Sequence, residues 1–167
     1  MIFNCVHLCY RNGGKEEWEF LWKKFLEERI DSERTRIIAA LGATQDADLI
    51  IRYLEETFGK ALRHQDLGYV YKSVRDSRMA FLWLESHWEK IGKTLGGSFG
   101  SSVIGIVTGY GGSAKDETPI RNLFERRGHE LIDKAWDFKN AIENAKINSM
   151  WVKQQGPIVS EWLKKQK

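Results

Sequence analysis

Cysteine and proline are scarce, two of each in 167 residues. Two cysteines exclude a disulfide-stapled scaffold, and helix interruption by proline is confined to Pro119 and Pro157. Neither sign of charge prevails. The 26 basic and 23 acidic residues leave a net charge of +3, too little to point to nucleic acid or to an anionic membrane. Disorder is excluded by what is plentiful, an aromatic share of 12% with seven tryptophans. Length and composition suit one globular domain or a short repeat array.

A targeting leader is not expected, because Met1–Tyr10 has an apolar patch without a basic start or a clear small-residue cleavage site. A membrane-spanning run is also not expected. Thr94–Ala114 is uncharged over 21 residues but holds seven Gly, four Ser and two Thr, which reads as a glycine-rich loop followed by a short buried helix. Membrane insertion is therefore not assigned to this chain, and its compartment stays open.

Helical periodicity is what the sequence does contain. Trp18, Leu21, Trp22 and Phe25 fall at i, i+3, i+4 and i+7. The same template returns as Ala47, Ile50, Ile51, Leu54; as Met79, Leu82, Trp83, Ser86; and as Ile120, Leu123, Phe124, Arg127. Second helices lie between, carried by Ile37, Ile38, Leu41; by Leu67, Val70, Tyr71, Val74; and by Val103, Ile106, Val107, Tyr110. A longer one carries Leu131, Ala135, Phe138, Ile142 and Ala145. Strand-like alternation is missing. Gly42 suits a helix C-terminus, Thr44, Asp66 and Ser77 suit N-caps, and Pro119 a first turn. The segment from about 92 to 102 reads as a loop, and Gly156-Pro157 as a helix break, since proline costs about 3 kcal/mol in a helix interior. Paired helices at this interval predict an all-α chain, an α-solenoid of about eight or nine helices in antiparallel pairs. No internal domain boundary is read between residues 1 and 167.

Chemistry-bearing motifs come only as near misses. His129-Glu130-x-x-Asp133 resembles the zinc-peptidase H-E-x-x-H without its second His, and reads as a solvated helix start. Cys5-x-His7-x-Cys9 offers soft ligands without a second pair. Gly109 to Lys115 has glycines like a phosphate loop, but Ala114 and Asp116 stand where Gly and Ser or Thr are needed. Arg121, Arg126 and Arg127, and the terminal Lys164, Lys165 and Lys167, read as solvated helix faces. No catalytic residue, metal ligand or cofactor is assigned. The junction Arg63-His64-Gln65-Asp66 is different: a cation, hydrogen-bonding groups and an N-cap fall between two helices, where a solenoid presents residues to a ligand. A cap with a local salt bridge is the competing reading.

Several blocks in register carry a resemblance. They are Gly13-Gly14-x-Glu16-Glu17-Trp18-x-Phe20-x-Trp22; Ala39 to Asp46; Arg52-Tyr53-Leu54-Glu55; Leu62-Arg63-His64-Gln65-Asp66; Ala80 to Trp83 before His87-Trp88; and Ile147-Asn148-x-x-Trp151. From about Tyr10 onward the chain resembles the C-terminal HEAT-like helical domain of the aminopeptidase N family of zinc aminopeptidases (gluzincins), without the catalytic domain. The resemblance implies a non-catalytic role: capping the catalytic chamber and helping to bind or select peptides. Zinc would belong to the catalytic domain of the parent family. It nominates Arg63, Gln65 and Asp66 as peptide-binding candidates, and peptides or an aminopeptidase catalytic domain as partners. The alternative is a stand-alone helical interaction scaffold, and a self-sufficient hydrolase would rest on His129-Glu130 alone. In extracellular members a cysteine near the position of Cys9 often pairs with one where this chain has Ala43, so that disulfide is expected to be missing and Cys5 and Cys9 to stay reduced. The Trp18, Leu21, Trp22, Phe25 face is expected to be an edge lacking its neighbour, so that Ile2–Tyr10 folds over it or two chains pair through it as a homodimer.

Overall fold

A computed structural model describes residues 14–113 and 117–166. Among these residues the chain is all α, with helices, short 3₁₀ turns and no strand. The helices are α1 (Lys15–Glu27), α2 (Asp31–Leu41), α3 (Ala47–Glu55), α4 (Leu67–Ser73), α5 (Ser77–Ser86), α6 (Trp88–Leu95), α7 (Phe99–Ser113), α8 (Thr118–Arg127) and α9 (Ala135–Lys164). They group into two compact units, Met1–Ser102 and Val103–Lys167.

In the first unit, α1 starts where the Glu17 carboxylate accepts the Gly14 N–H at 2.8 Å, a favourable charge at a positive helix end. Its stripe of Trp18, Leu21, Trp22 and Phe25 is buried. Trp18 and Trp22 stack at 5.6 Å and the Tyr53 ring meets both edge-on. The Trp18 indole donates to the Leu41 carbonyl at 3.2 Å, and the Tyr53 hydroxyl to that of Ile38 at 3.0 Å. Polar tips of large aromatics thus close the C-terminal end of α2 while their rings fill the space between α1, α2 and α3. The face considered above as a cut edge is internal here; the Ile2–Tyr10 segment, with Cys5 and Cys9, lies outside the described residues.

Helix α2 packs on α4 where Gly42 approaches Ser73. A Cβ at Gly42 would stand 2.3 Å from the Ser73 hydroxyl and 2.6 Å from its backbone. Gly42 has φ of −72°, so close approach, and not the left-handed turn its position suggested, explains the glycine. The caps also shift by one or two residues. Asp46 accepts from the amides of Asp48 and Leu49, and Asp76 from that of Met79. Thr44 accepts the Asp46 N–H instead.

Two stripes are rotated from expectation. In α3 the buried residues are Leu49, Ile50, Tyr53 and Leu54, while Ala47 and Ile51 face out. In α5 they are Ala80, Phe81, Trp83 and Leu84, and Leu82 is exposed. The expected loop at 92–102 is helical apart from one turn: α6 runs to Leu95, Gly96 turns with φ of +50°, and α7 starts at Phe99. Trp88 meets Phe99 edge-on at 4.9 Å, and this packing outweighs the low helix propensity of glycine.

In the second unit, Ile120 and Leu123 of α8 and Phe138, Ala141, Ile142 and Ala145 of α9 are buried. Gly111 lies against α9, where an added Cβ would be 3.3 Å from the Ala141 carbonyl. Asn148 donates to the Gly111 carbonyl at 3.3 Å. The break expected at Gly156-Pro157 is not there, for α9 runs through Pro157. Proline keeps a helical φ, and the carbonyl it leaves unpaired, four residues earlier at the exposed Lys153, is where water can reach it. No helix among the described residues is long and apolar enough to cross a membrane.

Candidate functional site

The three nominated residues fall on the turn between α3 and α4, and two of them belong to an ion cluster that is buried at Arg34 and Asp66 and exposed at Arg63 and Asp31. Arg63 grips Asp66 with two parallel hydrogen bonds, Nε to Oδ2 at 2.8 Å and Nη2 to Oδ1 at 3.0 Å. Its Nη1 reaches Asp31, at the start of α2, at 2.6 Å. The second partner of Asp66 is Arg34 of α2, with Nη2 3.5 Å from Oδ2. Arg34 is buried; its Nη1 donates to the carbonyls of Phe25 and Glu28 at 3.1 Å each, and its guanidinium lies 4.2 Å over the Phe25 ring. One arginine thereby ties the end of α1, the body of α2 and the turn before α4.

Electrostatics follow from this arrangement. Two cations and two carboxylates cancel, so the buried charges are compensated, as burial requires. The carboxylates of Asp66 and Asp31 hold the Arg63 guanidinium firmly charged. Glu28, which accepts the amides of Ile30 and Arg29 at the entry to α2, is held below the ordinary carboxylate range by those two bonds. Burial pushes the Tyr53 hydroxyl well above its usual value.

Asp66 has 4% of its side chain exposed and Arg63 has 41%. Asp66 is therefore a buried counter-charge that sets the direction of Arg63, and it is closed to a ligand arriving at the surface. Arg63, His64 and Gln65 are exposed. Arg34 carries the structural weight of the cluster and was not nominated. Its partner is 32 residues away, and nothing local in the sequence separates Arg34 from the exposed Arg36 on the same helix.

The other candidates do not converge. His129, Glu130 and Asp133 sit in a 3₁₀ segment with a non-helical residue at Leu131, so they share no α-helical face. Glu130 pairs with Arg127 at 2.9 Å and Asp133 with Lys134 at 3.3 Å. Among the described residues no group of three or more His, Cys, Asp or Glu side chains is placed to hold a metal ion. Gly109, Gly111 and Gly112 belong to α7, and Lys115 is outside the described residues. A cleft of about 390 Å³ between α8 and α9 is lined by Phe124 and Ile142 together with Arg121, Lys139, Glu125 and Glu143.

Comparison with known proteins decides what this helical frame is. The family model described as ERAP1-like C-terminal domain matches residues 3–146. The chain belongs to that family. Among curated relatives, aminopeptidase N of Bos taurus is 27% identical over 165 residues, covering 91% of this chain and 17% of its own length. Aminopeptidase M1-D of Oryza sativa subsp. japonica is 31% identical over 143 residues, 83% of this chain and 16% of its own. Glutamyl aminopeptidase of Bitis rhinoceros is 26% identical over 159 residues, with 91% and 16% covered. The chain thus spans about a sixth of the length of these relatives. In its first unit the Arg63–Asp66 cluster presents Arg63, with the exposed Asp31, His64 and Gln65, to solvent.

Proposed function

We propose that this chain is the non-catalytic C-terminal part of a zinc aminopeptidase, closing the substrate chamber and helping to bind or select peptides. The observation that carries this reading is the match of an aminopeptidase C-terminal domain family to residues 3–146, with relatives aligned over only 16–17% of their own length. On this reading zinc is held by the parent enzyme's catalytic domain. The helix pairs are read as HEAT-like repeats stacked so that the turns between them form the ligand-facing rim. Arg63 and Gln65 are the contact residues. Asp66 orients Arg63 without touching the peptide, leaving a half-exposed, fixed guanidinium suited to a peptide carbonyl or carboxylate. A stand-alone interaction scaffold with the same contact residues is the second reading, and an upstream H-E-x-x-H in the same transcript separates the two.

Labelled peptides titrated into the purified chain test the contact surface. Weak binding that is lost in Arg63→Ala/Gln65→Ala supports the proposal. Binding indifferent to that change contradicts it.

A further inference from the structure

The far end of α9 has an apolar seam with no cover. Helix α9 is 30 residues long, about 45 Å. Its packed face is Phe138, Ile142, Ala145 and Ser149, all buried, spaced alternately by four and three. The same alternation continues as Val152, Gly156, Val159 and Leu163. Here the side chains are in solvent: Val152 is 58% exposed, Val159 43% and Leu163 54%. Alternating three–four spacing of apolar residues is the pattern by which one helix seats another, and the second half of α9 keeps the register of its packed first half without a neighbour.

Charge selects the occupant. Lys146, Lys153 and Lys164 are seven and eleven residues apart, about two and three whole turns, so they form one row along a flank of the seam. The only acidic residue after Lys146, Glu161, lies off that flank and pairs with Lys165 at 2.8 Å. A second copy docked antiparallel would set lysine row against lysine row, which repels. We infer that the seam at Val152, Val159 and Leu163 docks an amphipathic helix whose flank is acidic and meets the Lys146–Lys153–Lys164 row. The inference concerns the second unit and is independent of the peptide-binding reading of Arg63.

The test uses the full chain with two labelled helical peptides of about three heptads. Both carry Leu at the seam positions; one has Glu flanks and the other Lys flanks. The Glu-flanked peptide is expected to bind at least about tenfold tighter, with the preference falling as salt rises. Lys153→Glu/Lys164→Glu should reverse the preference. Val159→Asp/Leu163→Asp should abolish binding with helix content unchanged by circular dichroism. Equal affinity for both peptides, or none for either, overturns the inference. So does self-association in sedimentation that Val159→Asp/Leu163→Asp removes, which would make a second copy the occupant. Binding to phosphatidylserine vesicles without peptide binding would make it a membrane surface and overturn it equally.

Discussion

Arg34 and Asp66 show how a single buried pair decides which residues are structural. Removing one partner of a buried ion pair leaves the other charge uncompensated, which costs about 3–5 kcal/mol. Asp66→Ala should therefore lower unfolding free energy in urea by about 3 kcal/mol, because Arg34 stays buried between two carbonyls. Arg63→Ala, at a half-exposed site, should cost no more than about 1 kcal/mol. Equal losses for the two would contradict the assignment of Asp66 as the counter-charge. Glu28 supplies a pH dependence of definite sign. Its folded carboxyl titrates below the unfolded one, whose pKa is about 4.3. Its contribution is therefore complete above that value and is lost as pH falls through the depressed folded pKa. Glu28→Gln should flatten the stability–pH curve below about pH 5 and leave its neutral part parallel to that of the parent chain.

At the scale of elements, close approach of a neighbouring element governs where glycine is required. Gly42→Ala drives a Cβ into the Ser73 backbone and should cost about 1–3 kcal/mol, whereas Gly97→Ala, with nothing within 4 Å, should be near neutral; matched thermal melts check both. Pro157→Ala should restore a hydrogen bond in the exposed half of α9, raising amide protection there without moving the global transition. These elements also show what could be read beforehand. The stripe in α1 was legible because Trp18, Leu21, Trp22 and Phe25 leave one apolar face. In α3 and α5, Leu49 competes with Ile51, and Phe81 with Leu82, on adjoining faces of similar hydrophobicity. Periodicity identifies such a helix, but tertiary packing chooses its inward side. The segment from about 92 to 102 was legible only as a loop and its glycines not as helix, because Phe99 reaching Trp88 is a contact that composition does not encode.

At the scale of the whole molecule, the frame is an ERAP1-like C-terminal domain whose helices hold Arg63 outward through the buried Asp66. Register among blocks scattered from Trp18 to Trp151 made the family legible, while the Arg34–Asp66 pairing was not, since it joins residues far apart in sequence. The measurement closest to the central claim is hydrolysis of a chromogenic aminopeptidase substrate by the purified chain with added zinc. The account predicts no rate above buffer, because the reaction needs a metal-activated water and among the described residues no group of three or more His, Cys, Asp or Glu side chains is placed to hold a metal ion. A zinc-dependent rate that His129→Ala abolishes would contradict it.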